Sequence, residues 1–246
     1  MDTPGYVILS RLGAQMRAMS VVANNLANAD TAGFHSEREI FSRYLQRDPL
    51  AERPRSGRDV AYTIDRATWR NTGQGPLTAT GNPLDVAIHG EGYFAVETPR
   101  GERYTRAGRF TLDQDGKLVD AEGNDVLGEQ GGPIVFARGD SRIEIMGDGT
   151  VRTENGVVGR LRVVRFADPQ RLRAEGNRLF AADDAPEPVP RPSLLQGSYE
   201  GSNVSAVLEM VRLTEESREF QMVTQFAERE GERLQTAVER ILRRRS

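Results

Sequence analysis

Two stretches at opposite ends of the chain carry apolar residues at alternating steps of three and four, and the middle does not. Near the start, Leu9, Leu12, Met16, Met19, Ala23 and Leu26 follow one another at intervals of 3, 4, 3, 4 and 3. Those are the a and d positions of a heptad, which line one side of an α-helix. Near the end, Ala206, Met210, Leu213, Ser217, Phe220, Thr224, Ala227, Gly231, Leu234, Val238 and Ile241 alternate 4 and 3 over five repeats. One column of this second seam is Leu213, Phe220, Ala227, Leu234 and Ile241. The other includes the small residues Ser217, Thr224 and Gly231, which let a second helix approach closely. Seams of this period ask for helical partners, so the two ends are expected to pair with each other as a coiled coil.

Local signals agree with helices at these places. Asp2 or Thr3 can cap the first, and Pro4 suits its opening turn, where a proline forfeits no needed hydrogen bond. Gly33 offers a stop. Ser202 or Asn203 can cap the second helix. Between Thr3 and Asn28 only Arg11 and Arg17 are charged, while Val7, Ile8, Val21 and Val22 lie off the seam. Val204, Val207, Leu208, Val211, Met222 and Phe226 flank the second seam in the same way. A helix covered on one side only carries more charge than this on the other. The first helix therefore expects neighbours on more than one side, and the ends are expected to be loose in a free monomer.

The middle reads as β structure. Short alternating runs such as Asp85–His89, Tyr93–Val96, Arg142–Ile145 and Arg160–Phe166 are broken by glycine turns. Arg109–Gly116 is echoed by Arg142–Gly149, which suggests two similar hairpin units. The organisation expected is α+β. An N-terminal helix occupies 1–34, a charged linker 35–61, an all-β central domain 62–182, a proline-rich connection 183–202 and a C-terminal helix 203–246. The all-β domain is thus an insertion between two helices that belong together.

Composition excludes several classes of function. The 246 residues carry a net charge of −3, which argues against wholesale nucleic-acid binding. The basic cluster Arg240, Arg243, Arg244 and Arg245 sits where cations complement a helix C-terminus. There is no cysteine, hence no disulfide, thiolate zinc site or cysteine nucleophile. No stretch reaches the roughly 20 apolar residues of a membrane span, and no basic region precedes the first apolar run as in a signal peptide. Neither histidine, His35 or His89, has a partner readable from spacing. Asp113–Leu118 lacks the spacing of a calcium loop, and Gly90-Glu-Gly92 opens a strand rather than a phosphate-binding helix. No catalytic, cofactor or metal site is expected, and the chain reads as a structural protein rather than an enzyme.

Four motifs carry a resemblance to a known family. Ala23-Asn-Asn-Leu-Ala-Asn-Ala-Asp-Thr-Ala-Gly-Phe34 resembles the N-terminal signature of flagellar rod and hook proteins. Leu84–Phe94 and Tyr104–Leu112 are similar to that family's middle motifs, and Glu200–Val204 with Glu209–Val211 to its C-terminal signature. The resemblance implies an axial protein of the bacterial flagellar basal body. Such a protein is exported without a cleaved signal through the flagellar type III apparatus and polymerises into the rod across the periplasmic space. Its helical ends would form the inner tube and its β domain would face outward. The implied partners are other rod subunits, copies of itself and the export apparatus. Arg218–Met222 resembles the proximal-rod type more than the distal-rod type. A distal-rod or hook-type axial protein, or a rod-associated wall-binding or hydrolytic module, remains the alternative.

An assembly interface is expected on both ends. It comprises the seam residues Leu9, Leu12, Met16, Met19, Ala23 and Leu26, with Met210, Leu213, Phe220, Ala227, Leu234, Val238 and Ile241. The resemblance adds Asn24, Asn25, Asn28, Gly33, Phe34, Asn203 and Val204, with Asn24, Asn25 and Asn28 expected to hydrogen-bond a neighbouring subunit.

Overall fold

The computed structural model describes residues 3–46 and 60–243. It is α+β, with helix α1 (Thr3–Ala27) at the start and helix α2 (Ala206–Arg243) at the end of a β-rich middle. Two compact units result. One comprises Met1–Ala27, Glu37–Trp69 and Ser205–Ser246; the other comprises Asn28–Ser36 and Arg70–Val204.

In the first unit α1 and α2 pack antiparallel. Arg11 and Gln15 both reach Glu219, and further along α1 Asn25 reaches Glu209. The residues buried between them are Ala14, Gln15, Ala18, Val22 and Asn25 of α1, and Glu209 and Val223 of α2. This corrects the expected α1 seam. Leu9, Met16 and Ala23 are exposed, and Leu12, Met19 and Leu26 only half-buried. The side that meets α2 lies about 120° round the helix, at 3.6 residues per turn. Its small residues, Ala14 and Ala18, permit the close approach. On α2 the expected column is better placed: Leu213, Ser217, Phe220, Thr224 and Ala227 are half-buried, although Met210 is exposed. Leu234, Val238 and Ile241 lie on α2 with their side chains outside the described residues.

The 35–61 stretch is not simply a linker. Strands β1 (Glu37–Gln46) and β2 (Val60–Arg70) pair as a two-stranded sheet, and residues 47–59 lie outside the described residues. The charges of Glu37, Arg38, Glu39 and Arg43 obscured the β-branched and aromatic content of Ile40, Phe41 and Tyr44, which favours a strand.

The second unit is built around strand β5 (Tyr93–Thr98), after the short strands β3 (Leu77–Ala79) and β4 (Val86–Ile88). β5 pairs antiparallel with β6 (Gly101–Thr105) and with the strands Val163–Arg165 and Asp125–Val126. Its alternate residues enter two apolar clusters. Phe94 and Val96 join Phe110, Leu118 and Val126, whereas Tyr93 and Ala95 join Tyr104, Phe166 and Phe180. A strand covered on both faces reads as a near-continuous apolar run, which is what Tyr93–Val96 is. Tyr93 meets Phe166 and Phe180 edge-on, with centroids 5.9 and 5.8 Å apart.

The echoed segments do form comparable hairpins. Thr111–Leu112 pairs with Leu118–Val119, and Glu144–Ile145 with Thr150–Thr153. Gly116 and Gly149 supply the positive φ at the two turns, 81° and 91°. The 183–202 stretch, expected as a connection, belongs to this unit's sheets. Leu194–Gln196 pairs with β4 and Ser198–Glu200 with β3.

Candidate functional site

Three short segments, each within or directly after one of the motifs quoted above, converge in the second unit. They are residues 33–36, the 104–108 corner after β6 and residues 200–203. At their centre is Glu200, fully buried at 0% exposure. Its Oε2 lies 2.7 Å from Arg106 Nη2, and its Oε1 lies 3.1 Å from His35 Nε2 and accepts the Gly75 N–H at 3.0 Å. Its backbone carbonyl accepts the Gly33 N–H at 2.8 Å. Arg106 Nη1 in turn donates to the carbonyls of Gly90 and Gly92 at 2.9 and 2.6 Å. A buried charge survives only where partners replace the water it has lost. Burial alone would raise the Glu200 pKa. The His35 hydrogen bond, the Arg106 charge and the Gly75 amide outweigh it and hold the carboxyl below its ordinary value. Burial also raises the Tyr93 phenol, against the opposing pull of Arg106 and Arg70.

The backbone geometry of this junction is tightly constrained. Gly33 has φ +68°, and a Cβ there would lie 2.5 Å from the Ala107 nitrogen. At Gly108 an added Cβ would lie 1.7 Å from the Val86 carbonyl oxygen. Asn203 closes the arrangement. Its Oδ1 accepts the Ser36 N–H at 2.8 Å, and its Nδ2 donates to the carbonyls of Asn71 and Gly73 at 2.8 and 2.7 Å. The Asn203 N–H donates to the Phe34 carbonyl at 3.2 Å. Gly33, Phe34 and Asn203, expected at an interface between subunits, thus act as staples within the chain. Val204 is half-buried beside them, its N–H on Ser202 Oγ at 3.2 Å.

A cavity of about 300 Å³ opens beside the network, lined in part by His35, Gln74, Gly90, Tyr93, Arg106 and Phe166. Among the described residues no group of three His, Asp or Glu side chains is placed to hold a metal ion. The chemistry available is charge pairing and hydrogen bonding, which position backbone.

In the first unit Asn25 is buried as well. Its Nδ2 donates to the Glu37 carbonyl at 2.8 Å and to Glu209 Oε2 at 3.3 Å, and its Oδ1 accepts the Glu37 N–H at 3.0 Å. Asn25, expected at a neighbouring subunit, thus holds the Glu37 backbone at the start of β1 within the chain. Asn24 is exposed, and Asn28 Oδ1 accepts from the Thr31 hydroxyl at 3.2 Å. Sequence reasoning left His35 without a partner and overlooked Glu200 and Arg106. One signal was available, since each motif contains a charged or titratable residue amid small and apolar ones.

Comparison with known proteins now decides the family. The chain is 37% identical over 243 residues to flagellar basal-body rod protein FlgF of Caulobacter vibrioides, covering 98% of each chain. The chain belongs to the flagellar basal-body rod protein family. It is also 34% identical over 229 residues to FlgF of Rhizobium meliloti, covering 91% of each chain. Similarity to flagellar basal-body rod protein FlgG of Agrobacterium fabrum is 33% over 234 residues, covering 86% of this chain and 88% of the relative. Three family models match in order: flagella basal body rod protein at residues 6–35, flagellar hook protein FlgE/F/G D1 domain at 87–153, and flagellar basal body rod FlgEFG protein C-terminal at 195–240. The resemblance carried by the four motifs is borne out. The junction lies where these matches meet, since His35 falls in the first, Arg106 in the second and Glu200 in the third.

Proposed function

We propose that this chain is a structural subunit of the bacterial flagellar basal-body rod, of the proximal type, and that it supports flagellum-dependent motility. The observation that carries the reading is end-to-end similarity to rod proteins named FlgF, at 37% identity over 98% of both chains. The proximal placement rests on those names and on the run Arg218–Met222. Two relatives named FlgG reach 33% and 30% identity, below that 37%.

In this reading the subunit is exported by the flagellar type III apparatus without a cleaved signal and functions in the periplasmic space. It assembles with other rod subunits and with its own copies through α1 and α2, which act as coiled-coil segments. Helices this sparsely covered are marginal alone and gain stability by packing. Leu9, Met16, Val207, Val211, Met222 and Phe226 are all at least half exposed, an apolar load that suits burial on assembly. The protein's role is architectural and involves no catalysis.

The test is mass spectrometry of purified hook–basal bodies from a deletion strain complemented with the full chain or with a chain lacking residues 1–29. The full chain should be retained and the truncated one absent. Motility with neither form in the particle would overturn the rod assignment.

A further inference from the structure

Of the chain's nine asparagines, only Asn155 is followed by glycine. A backbone nitrogen can attack the side-chain amide of the asparagine before it, and a residue without Cβ lets it come closest. Asn155 sits at the tip of the hairpin between strands Thr150–Thr153 and Gly156–Arg160. Glu154, Asn155, Gly156 and Val157 are all exposed, and a Cβ built at Gly156 would meet nothing within 4 Å. The other asparagines lack this combination. Asn82 precedes Pro83, which has no N–H to attack with. Asn25 is buried, and Asn124 donates its side-chain amide to Asp120 Oδ2 at 2.8 Å. The rest are followed by residues that carry a Cβ.

We propose that Asn155 is a self-modification site, at which the Gly156 nitrogen closes a succinimide ring, and that Asp140 governs how fast it closes. The Gly156 nitrogen gives up its proton and bonds to Asn155 Cγ. The Cγ–Nδ2 bond breaks, and Nδ2 leaves as ammonia with that proton. Water then opens the ring at either carbonyl. The product at position 155 is an aspartate or, with the main chain rerouted through the side chain, an isoaspartate. Neither step needs an oxidant, a reductant or a cofactor. Asp140 Oδ1 accepts from Asn155 Nδ2 at 2.7 Å, and its Oδ2 accepts the Ala137 N–H at 2.9 Å. That bond ties the reacting amide to a carboxylate fixed by its own loop. The negative charge also opposes ionisation of the Gly156 amide and the charge that builds on the Asn155 side-chain oxygen. After the reaction a carboxylate stands where the donor was, and two anions replace a hydrogen bond. The hairpin tip is thereby released from the 137–142 loop, and the chain gains one negative charge beyond its −3.

The test follows position 155 by peptide-mapping mass spectrometry and isoaspartate labelling, in the full-length protein and in a synthetic peptide of residues 150–160. Both are held in the same mildly alkaline buffer. The full chain should convert at position 155 to a mixture of aspartate and isoaspartate, several-fold more slowly than the peptide. Asp140→Ala and Asp140→Asn, with folding checked by their unfolding curves, should each raise the rate several-fold toward that of the peptide. A full chain unmodified at position 155 while the peptide converts would overturn the site. Parental rates in both Asp140 variants would overturn the control by Asp140.

Discussion

The two units solve the same problem, joining distant parts of the chain, by opposite means. The second unit joins residues 33–36, 104–108 and 200–203 through a buried polar network over an apolar core that includes Phe94, Phe110 and Val126, each 1% exposed or less. The first joins α1 to α2 over a narrow strip of alanine, valine and a few polar groups, and leaves its larger apolar side chains outside. The difference teaches where stability is stored. The second unit buries its large apolar side chains, whereas the first leaves Leu9, Met16, Met222 and Phe226 exposed. That is the physical division expected of a subunit with a finished body and an unfinished assembly segment.

The largest effect should come from breaking the network in the second unit. Glu200→Ala leaves Arg106 buried without its counter-charge, which typically costs about 3–5 kcal/mol. Urea unfolding should show that loss, and Glu200→Gln, which keeps the shape, should lose less. Asn203→Ala removes three side-chain hydrogen bonds and strands the Ser36 amide. A loss of about 1–3 kcal/mol is expected, read from the same unfolding curves. In the first unit, Leu9→Ser with Met16→Ser should change monomer stability by no more than about 0.5 kcal/mol, as for exposed sites generally. The same pair should sharply reduce self-association by sedimentation. A monomer destabilised as much as Glu200→Ala would erase the contrast between the units.

The smallest effect is a local pH response. The Glu154 carboxylate accepts hydrogen bonds from the Ser141 amide and hydroxyl and from the Arg142 amide. The Ser141 amide, its own backbone amide and the Arg142 amide, in that order, lead in lowering its pKa from 4.5 to about 2. A depressed carboxyl pKa means the contribution is fully present above 4.5 and is lost as the pH falls through about 2. Carboxyl NMR should place the Glu154 midpoint near 2, with the 141–154 turn loosening over the same range.

Much of this was legible in the sequence, for identifiable reasons. The terminal helices were visible because heptad spacing persists for five repeats at the C-terminal end. The echoed hairpins were visible because Asp-Gly turns fix local geometry. What spacing could not supply was which side of α1 its own partner would take. Leu9 and Met16 look like core, but Ala14 and Ala18 allow a closer approach, and packing distance is a property of two helices together. The intrachain partners of two asparagines were illegible for a related reason. Asn25 and Asn203 satisfy backbone groups many positions away in sequence, at Glu37 and at Asn71 and Gly73. Such long-range hydrogen bonds leave no period in the sequence. The Glu200 network was hidden in the same way, because its members come from three separate motifs.

The most direct test of the contrast is amide hydrogen exchange on the isolated full-length monomer, followed by the same measurement on the assembled protein. The account predicts strong protection of β5 and β6 in both states. It predicts weak protection of residues 7–27 in the monomer, rising on assembly. Protection of residues 7–27 equal to that of β5 in the monomer would contradict it, because the helix pair would then be finished before any partner arrives.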